Sequence, residues 1–348
     1  MYQNFCKSLG YGAKGYYLLN KDFKSKKKTI LISGSKQNYK YLISKLTKIF
    51  KAKPRHIIIK KERFDLNTID NLFKKNKDKK FDAIVVLGGG SIIDFSKRLV
   101  LKYNKQKKKV NFYVFPSLLG SGAEISITSI INTPKEKNFA VNEKFLPDGV
   151  IYDENLIKTA DKVATLMGIM DSFTHCIESV TSINKNYYLN FLCNETLNSF
   201  SKKNFFNFAK RKKDFNYLDI ATLSFNGGLA QSNSGSGICH ALAHSSEKIL
   251  NVKHSESISF FIVPVIKYLL IKNKGDLNNF NDRVFKYIFK NVKFLKKNHN
   301  FDKLKSLIKN NKSIFDLINR SQNDICWRLY NQNVDVNLLI KCLKNENN

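Results

Sequence analysis

The first 155 or so residues alternate short β-branched runs with helical segments, and this alternation constrains the fold more than any other feature of the chain. Strands that alternate with helices favour a parallel sheet covered by helices on both faces. Beyond about residue 158 the strand pattern fades and apolar residues recur at helical spacing. We therefore predict an α/β N-terminal domain with a parallel sheet over residues 1–158 and an all-α C-terminal domain over residues 159–348. The predicted strands are Thr29–Ser33, His56–Ile59, Phe81–Leu87 and Phe112–Phe115, and the main predicted helices are Tyr39–Ala52, Leu66–Lys75, Ile92–Tyr103, Ala164–Thr181, Tyr188–Ala209, Ile220–Ala230 and Ile238–Leu250.

The chain is strongly basic, with a formal net charge of +32 from 60 Lys and Arg against 28 Asp and Glu. Such a charge is one indication of a nucleic-acid partner, and a basic nucleic-acid-binding protein is one alternative function. However, most of the excess is lysine, accompanied by abundant Asn, Ile and Phe, as an AT-rich genome produces. The lysine runs are scattered over predicted loops and element ends. We therefore interpret the charge as solvated surface, with an electrostatic preference for anionic substrates.

Cysteine usage and hydropathy both predict a soluble cytoplasmic protein. The six cysteines form no CxxC pair and no regular framework, which in a long chain indicates reduced thiols. The first seven residues lack the apolar region of a secretory signal. The most apolar stretch, Ile258–Ile271, is too short to span a bilayer and carries Lys267, so we predict a buried helix and no membrane partner.

A glycine turn, Gly88-Gly-Gly-Ser91, joins a predicted apolar strand to a predicted helix. Glycines allow a pyrophosphate to approach closely, and the amides at a helix N-terminus favour an anion. We therefore predict that Gly89, Gly90 and Ser91 bind a nucleotide cofactor, with Asp94 on the first helical turn as a further candidate. The alternative is an ordinary glycine turn followed by a capped, solvated helix start.

Two more loops follow predicted strands at the same edge of the sheet, where open α/β folds bind cofactors. The loop Pro116–Glu124 is rich in small residues, and we predict that Ser117 and Ser121 face the cofactor; a plain surface loop is the alternative. After the first predicted strand, Ser35 and Lys36 stand where an acidic residue usually binds the ribose 2′-hydroxyl. They could instead meet a 2′-phosphate, which favours NADP(H) over NAD(H).

Four of the six histidines stand where one divalent metal could use them. Asp171 and His175 are four residues apart, as are His240 and His244, so each pair lies on one face of a predicted helix; His254 follows ten residues later. Nitrogen and carboxylate ligands suit Zn²⁺ or Fe²⁺. A single histidine on an apolar helix is usually a satisfied core residue, but this grouping predicts a metal site. Such an ion lowers the pKa of a bound alcohol.

These motifs resemble those of a known family, the iron-containing (group III) alcohol dehydrogenases, whose relatives share a fold with dehydroquinate synthase. The resemblance runs from Leu9 to about Pro264, roughly three quarters of the chain. The matching motifs are Leu9–Lys14, like the family's opening glycine motif; Gly88–Lys97, like GGGSxxDxxK; Pro116–Glu124, like PTTxGTGSE; and Pro147–Asp153, like the PxxxxxD segment between domains.

The resemblance implies roles for individual residues. It makes His244 a residue close to the nicotinamide, where it is the candidate catalytic proton relay, and Lys137 the residue that reaches the nicotinamide ribose. It implies one Fe²⁺ or Zn²⁺ ion held by Asp171, His175, His240 and His254.

The chain departs from the family pattern in the loop that faces the cofactor and after the last ligand. His254 is followed by Ser255 where the family has glycine, and the loop threonines are Ser117, Leu118 and Ser121, so one hydroxyl is lost. Ala123 precedes Glu124 where serine is usual. With the run Met170–Ser179, this variant resembles the branch that oxidises 3-deoxy-octulosonate at C8, which implies a sugar or sugar-acid substrate.

The expected activity is reversible hydride transfer between an alcohol and NAD(P), interconverting the alcohol and an aldehyde or ketone. A sugar-phosphate cyclase of the dehydroquinate synthase type would share the fold, nucleotide and metal. It would present a glutamate ligand, whereas this chain has Asp171, which favours the dehydrogenase. We expect a small-molecule partner and no nucleic acid, and a homodimer is kept as an open alternative.

Overall fold

The computed structural model describes residues 8–23, 28–34, 39–59, 65–76, 81–105, 109–132, 137–204 and 216–345. The chain divides into two compact units, Met1–Ala160 and Asp161–Asn348. The first unit combines strands with helices and the second is mainly helical, as the hydrophobic patterns predicted.

The N-terminal unit contains an all-parallel sheet of six strands. Its strands are β1 (Leu9–Tyr11), β2 (Thr29–Gly34), β3 (Arg55–Ile59), β4 (Ala83–Gly88), β5 (Asn111–Pro116) and β8 (Gly149–Tyr152). Between β5 and β8 in the chain, β6 (Thr128–Asn132) and β7 (Lys137–Val141) form a separate antiparallel pair. The spatial order of the sheet is β1-β8-β5-β4-β2-β3. Its helices are α1 (Gly12–Asp22), α2 (Lys40–Phe50), α3 (Leu66–Lys74), α4 (Gly90–Lys105) and α5 (Glu154–Ile157).

Helices cover both faces of this sheet, which explains why its strands are apolar runs. In β4, Ile84 and Val86 pack into one core with α3 and α4, whereas Val85 and Leu87 pack into another with α1 and α2. Successive side chains of a strand point to opposite faces, so both faces need apolar residues.

The C-terminal unit is helical over its described residues, apart from one isolated bridge between Ser182 and Tyr330. Helix α6 is buried along almost its whole length, since its residues are apolar or small on every side. The helices are α6 (Lys162–Val180), α7 (Tyr187–Asn204), α8 (Tyr217–Ser234), α9 (Ile238–Leu250), α10 (His254–Lys272), α11 (Lys274–Leu277), α12 (Asp282–Asn298), α13 (Asp302–Lys309), α14 (Asn311–Gln322), α15 (Ile325–Arg328) and α16 (Val336–Asn345).

By length and composition, one described helix, α10, could cross a membrane, and 67% of its apolar window is buried inside the protein. Buried core helices of soluble proteins pass the same test. The burial agrees with the buried helix predicted for Ile258–Ile271.

The predicted fold class is confirmed, but several elements were not predicted. The sequence patterns missed β1, α1 and β8, which are short or carry glycines, and the antiparallel pair β6–β7. Of the helix predicted over Tyr188–Ala209, α7 accounts for the part up to Asn204, and residues 205–209 lie outside the described residues.

Candidate functional site

The glycine turn lies between β4 and α4, as predicted. Gly88 ends β4 and Gly90 begins α4, so the first amides of the helix face the carboxyl edge of the sheet. A Cβ on Gly90 would lie 2.8 Å from Ser121 Oγ, and one on Gly89 would lie 3.3 Å from Leu118 Cβ. These positions therefore leave little room for side chains, while Ser91 is exposed.

The loop after β5 lies beside this turn. Gly88 is paired with Pro116 in the sheet, and the Ser117 amide donates to the Gly88 carbonyl at 2.9 Å. Ser121 Oγ accepts from the Ala123 amide at 3.3 Å. The structure thus brings Ser117 and Ser121 to the glycine turn.

The remaining predicted cofactor residues are Lys137, Ser35 and Lys36. Lys137 begins β7, where its backbone is paired with Asn132. Ser35 and Lys36 lie outside the described residues. The cofactor assignments of all these residues stay predictions.

Asp94 and Lys97 have contacts that a solvated helix start would not have. Lys97 is fully buried, and its Nζ donates to Ser126 O at 2.9 Å and to Thr128 O at 2.6 Å. Asp94 Oδ1 lies 3.4 Å from that Nζ, and Asp94 Oδ2 accepts from the Ile130 amide at 3.1 Å. Burial raises the pKa of Asp94 and lowers that of Lys97, while their mutual attraction opposes both shifts. The pair therefore fastens β6 to α4.

In the C-terminal unit, three helices bring the four predicted metal ligands together. Asp171 and His175 lie on α6, His240 on α9, and His254 is the first residue of α10. Asp171 Oδ1 lies 3.5 Å from His175 Nε2, 3.4 Å from His240 Nε2 and 3.9 Å from His254 Nε2. One carboxylate oxygen is thus surrounded by three imidazole nitrogens.

The ligand atoms of Asp171, His240 and His254 all lie within 4.8 Å of one another, as ligands of one divalent ion would, and His175 joins them at 3.5 Å from Asp171. Nitrogen and oxygen ligands at about 2.1 Å from a tetrahedral ion are separated by about 3.4 Å. Among the described residues, Asp171 Oδ1 and His240 Nε2 are buried and have no hydrogen-bond partner. Buried polar atoms rarely remain unsatisfied, so an ion between them would explain the arrangement. The donor set of three imidazoles and one carboxylate suits Fe²⁺ or Zn²⁺.

The electrostatics of this group favour positive charge at its centre. Burial alone would raise the pKa of Asp171, but the charges that His175, His254 and His240 can carry outweigh it and lower the pKa to about 2. Burial alone would lower the pKa of His240, but Glu178 and Asp171 outweigh it and raise the pKa to about 10. Burial dominates at His175, whose pKa falls to about 4.

Glu178 links α6 to α9 and was not assigned a role by the sequence analysis. Its Oε2 lies 2.6 Å from His240 Nδ1, and its carboxylate accepts from the amides of Gly237 at 2.7 Å and Cys239 at 2.6 Å. It therefore caps the N-terminus of α9 and, by binding Nδ1–H, orients Nε2 toward Asp171, where a bound ion would take the place of the second proton.

His244, the predicted catalytic residue, lies beside the ligand group. Its ring stacks on His254 with centroids 5.5 Å apart, and its Nδ1 lies 3.0 Å from Asp324 Oδ2. Burial lowers the pKa of His244 to about 4, although Asp324 opposes this. The imidazole is therefore neutral at pH 7, with Nδ1–H bound by Asp324.

Asp324 and Cys326 complete a second group of ligand-type side chains with His244. Asp324 also accepts from the Cys326 amide at 2.9 Å and so caps α15. Burial, Asp324 and Glu178 raise the pKa of the Cys326 thiol well above its usual value. A protonated thiol is a poor metal ligand, so we interpret this group as a hydrogen-bonded support for His244.

The sequence analysis missed three carboxylates that bind these imidazoles: Glu178, Asp324 and Glu247, which lies 2.6 Å from His254 Nδ1. A signal existed for Glu178, because it follows His175 by three residues on the same helix. The carboxylate of Asp324 lies 80 residues from its histidine, in a region with no interpretable motif.

Comparison with protein families then gives the family of the chain. The model of iron-containing alcohol dehydrogenases matches residues 10–154, and the C-terminal model of the Fe-containing alcohol dehydrogenase family matches residues 165–320. Together they span both units of the chain. The chain belongs to the iron-containing alcohol dehydrogenase family. The predicted family is confirmed.

Curated members of this family are distant relatives. The chain is 25% identical over 231 residues to the 4-hydroxybutyrate dehydrogenase of Clostridium kluyveri, covering 61% of this chain and 62% of that protein. It is 25% identical over 205 residues to the NADPH-dependent butanol dehydrogenase of Clostridium saccharobutylicum, covering 54% of this chain and 52% of that protein. The matches thus span just over half the length of these relatives.

Solved structures show the same fold over the whole chain. The iron-containing alcohol dehydrogenase of Thermococcus thioreducens has a TM-score of 0.82 at 15% identity, covering 100% of this chain and 99% of that one. A 1,3-propanediol oxidoreductase has a TM-score of 0.79 at 16% identity, covering 99% of both chains.

Proposed function

We propose that this protein is a metal-dependent oxidoreductase that transfers a hydride between an alcohol and NAD(P), interconverting the alcohol and an aldehyde or ketone. The observation that carries the proposal is the convergence of His175, His240 and His254 on Asp171 Oδ1. A divalent ion held there supplies a Lewis acid that lowers the pKa of an alcohol hydroxyl.

In this proposal the protein's own residues position the reactants. Gly89, Gly90 and Ser91 bind the pyrophosphate with Ser117 and Ser121 in the neighbouring loop, and Asp94 supports that loop through Lys97 and β6. Lys137 binds the nicotinamide ribose.

His244 is the proposed proton relay for the alcohol. Asp324 binds its Nδ1–H, so Nε2 keeps a lone pair that can accept a proton. Because burial already holds the ring neutral, the lone pair is present at pH 7.

The proposed substrate is a linear primary alcohol, since the relatives above are named for butanol and 4-hydroxybutyrate. A sugar or sugar acid is the second candidate. It is favoured by the Gly122-Ala123-Glu124 variant of the cofactor loop and by the net charge of +32, which attracts anions.

The test is turnover of the metal-loaded protein with these alcohols and sugar acids, followed by the absorbance of the reduced nicotinamide. We expect His240→Ala to abolish turnover. The control is His299→Ala, whose imidazole contacts Glu256 outside the ligand group at 3.3 Å. Undiminished turnover in His240→Ala would contradict the proposal, and conversion of a sugar phosphate to a cyclic product would favour the cyclase.

NADP(H) is the proposed form of the cofactor, because Lys36 is the nearest cation after β2 in the sequence. Lys36→Ala should raise the KM for NADP(H) more than that for NAD(H), since only NADP(H) carries the 2′-phosphate. Lys28→Ala, which changes a lysine before β2, is the matched control. An equal increase in the KM for NADP(H) and for NAD(H) would contradict the proposed preference for NADP(H).

The proposed setting is the cytoplasm, since Cys176, Cys193, Cys239, Cys326 and Cys342 are free thiols.

Light scattering of the purified protein would decide whether it is a homodimer. Retention on DNA that falls with salt and survives both chelator and His240→Ala would instead support a nucleic-acid binder.

A further inference from the structure

His254 differs from the other three proposed ligands in how it is held. Its side chain is 33% exposed, whereas those of His175, His240 and Asp171 are 2–4% exposed. It is also the first residue of α10, after the three-residue connection 251–253 from α9. Packing alone therefore restrains the His254 ring less than the others.

A buried carboxylate lies behind this ring. Glu247 Oε1 lies 2.6 Å from His254 Nδ1, and the Glu247 side chain is only 4% exposed. Glu247 stands in the last turn of α9, where the helix dipole disfavours negative charge. A carboxylate that is both buried and at the negative end of a helix costs stability unless a specific interaction offsets it.

We propose that Glu247 is a positioning residue that holds His254 against the metal and limits how fast the metal leaves. The inference rests on the proposed metal site. Because Glu247 accepts a hydrogen bond from Nδ1–H, it orients Nε2 of His254 toward Asp171 Oδ1, 3.9 Å away. The same bond restricts rotation of the ring and increases the basicity of the imidazole.

The rate of metal loss is the property most sensitive to Glu247. An ion can leave only as its ligands detach, and the partly exposed His254 is the ligand that detaches first. A weaker Glu247–His254 bond leaves the ring free to rotate into solvent, so the ion is released sooner.

Glu178 occupies the corresponding position behind His240 but is a poorer place to test this idea. It also caps α9 through the amides of Gly237 and Cys239, so its loss would disturb the helix itself. At Glu247, the substitution Glu247→Gln keeps the size of the side chain and one acceptor oxygen.

The experiment measures metal release from protein loaded with Co²⁺, whose visible absorption reports the ligand geometry, after addition of excess chelator. We expect Glu247→Gln to release Co²⁺ about 10-fold faster than the wild type, and Glu247→Ala about 100-fold faster. The smaller effect of Gln follows from the acceptor oxygen that it retains. The melting temperatures of the metal-free proteins check that the fold is intact.

The control is Glu256→Gln. Glu256 lies two residues after His254 on α10, where it contacts His299 and the Lys253 amide. The Glu256→Gln substitution removes the same charge near the site but keeps the Glu247 bond, and its amide oxygen can still accept from the Lys253 amide. Co²⁺ release from this variant should therefore stay close to the wild-type rate.

The outcomes separate the inference from the proposed function. Release from Glu247→Gln and Glu247→Ala at the wild-type rate would overturn the inference alone. Equal acceleration by Glu256→Gln would also overturn it, because a general charge effect would then suffice. Failure of the wild type to bind Co²⁺ would sink the proposed metal site, and the inference with it.

Discussion

At the residue scale, three histidines of the site, His240, His244 and His254, are each paired with a carboxylate. Glu178, Asp324 and Glu247 each lie within 3.0 Å of the Nδ1 of one histidine. Each carboxylate therefore fixes which nitrogen carries the proton and turns the Nε2 lone pair toward the site. Asp324 does this for the one histidine that is not a proposed ligand.

We predict that Asp324→Asn lowers kcat/KM for alcohol oxidation about 10- to 100-fold, because a hydrogen bond to a charged group is worth about 1.5–3 kcal/mol. Steady-state kinetics of the metal-loaded protein measure this. Metal content should be unchanged, since Asp324 binds His244 and the Cys326 amide, neither of which is a proposed ligand. The control is Asp302→Asn, which changes an exposed carboxylate. Unchanged kinetics in Asp324→Asn would contradict the proposed support of His244 by Asp324.

The proposed ligands could be predicted from the sequence, but their supports could not. Asp171 and His175 are recognisable because a helix brings residues four apart to one face. The partner of His244 is brought to it by the packing of α9 against α14 and α15, which no local pattern encodes. Burial, which sets the pKa of His244, likewise depends on that packing.

At the element scale, the N-terminal part of α4 carries both the glycine turn and the anchor for β6. The first turn faces the carboxyl edge of the sheet, and one turn later Asp94 and Lys97 bind β6 and the loop before it. An ordinary helix start would expose these charges. Here the buried Lys97 ammonium donates hydrogen bonds to three protein oxygen atoms, which take the place of water.

We predict that Lys97→Met destabilises the protein by about 3 kcal/mol, because it leaves the Asp94 carboxylate without its buried partner. Urea unfolding followed by circular dichroism measures the loss. In the double variant Lys97→Met/Asp94→Asn, the loss should be smaller than the sum of the two single losses. Strictly additive losses would show that the two charges do not depend on each other.

The elements themselves were predictable where their patterns were long. β2, β4 and α4 follow from sustained apolar runs and helical spacing. The three residues of β1 and the four of β8 are too few to show a period, and they become strands because neighbouring strands pair with them.

At the scale of the whole molecule, the metal is expected to add to the stability of the C-terminal unit. Its ligands come from α6, α9 and α10, so one ion would join α6 to the consecutive helices α9 and α10. A ligand that binds only the folded state stabilises it by about 4 kcal/mol when its free concentration is about a thousand times its Kd.

We therefore predict that a chelator lowers the melting temperature and increases hydrogen exchange in peptides from α6, α9 and α10. Exchange in β2, β4 and β5 should change less, because these strands carry no proposed ligand. Differential calorimetry and exchange mass spectrometry, with and without chelator, measure the two effects. An unchanged melting temperature would mean that no stabilising ion had been bound.

The central claim is that one divalent ion is held by Asp171 and three histidines. The most direct measurement is the metal content of the purified wild type and of Asp171→Asn, with Asp316→Asn, a change at an exposed carboxylate, as control. The account predicts about one Fe²⁺ or Zn²⁺ per chain in the wild type and the control, and loss of most of it in Asp171→Asn, because the only anionic ligand is gone. Near-normal metal content in Asp171→Asn would contradict it.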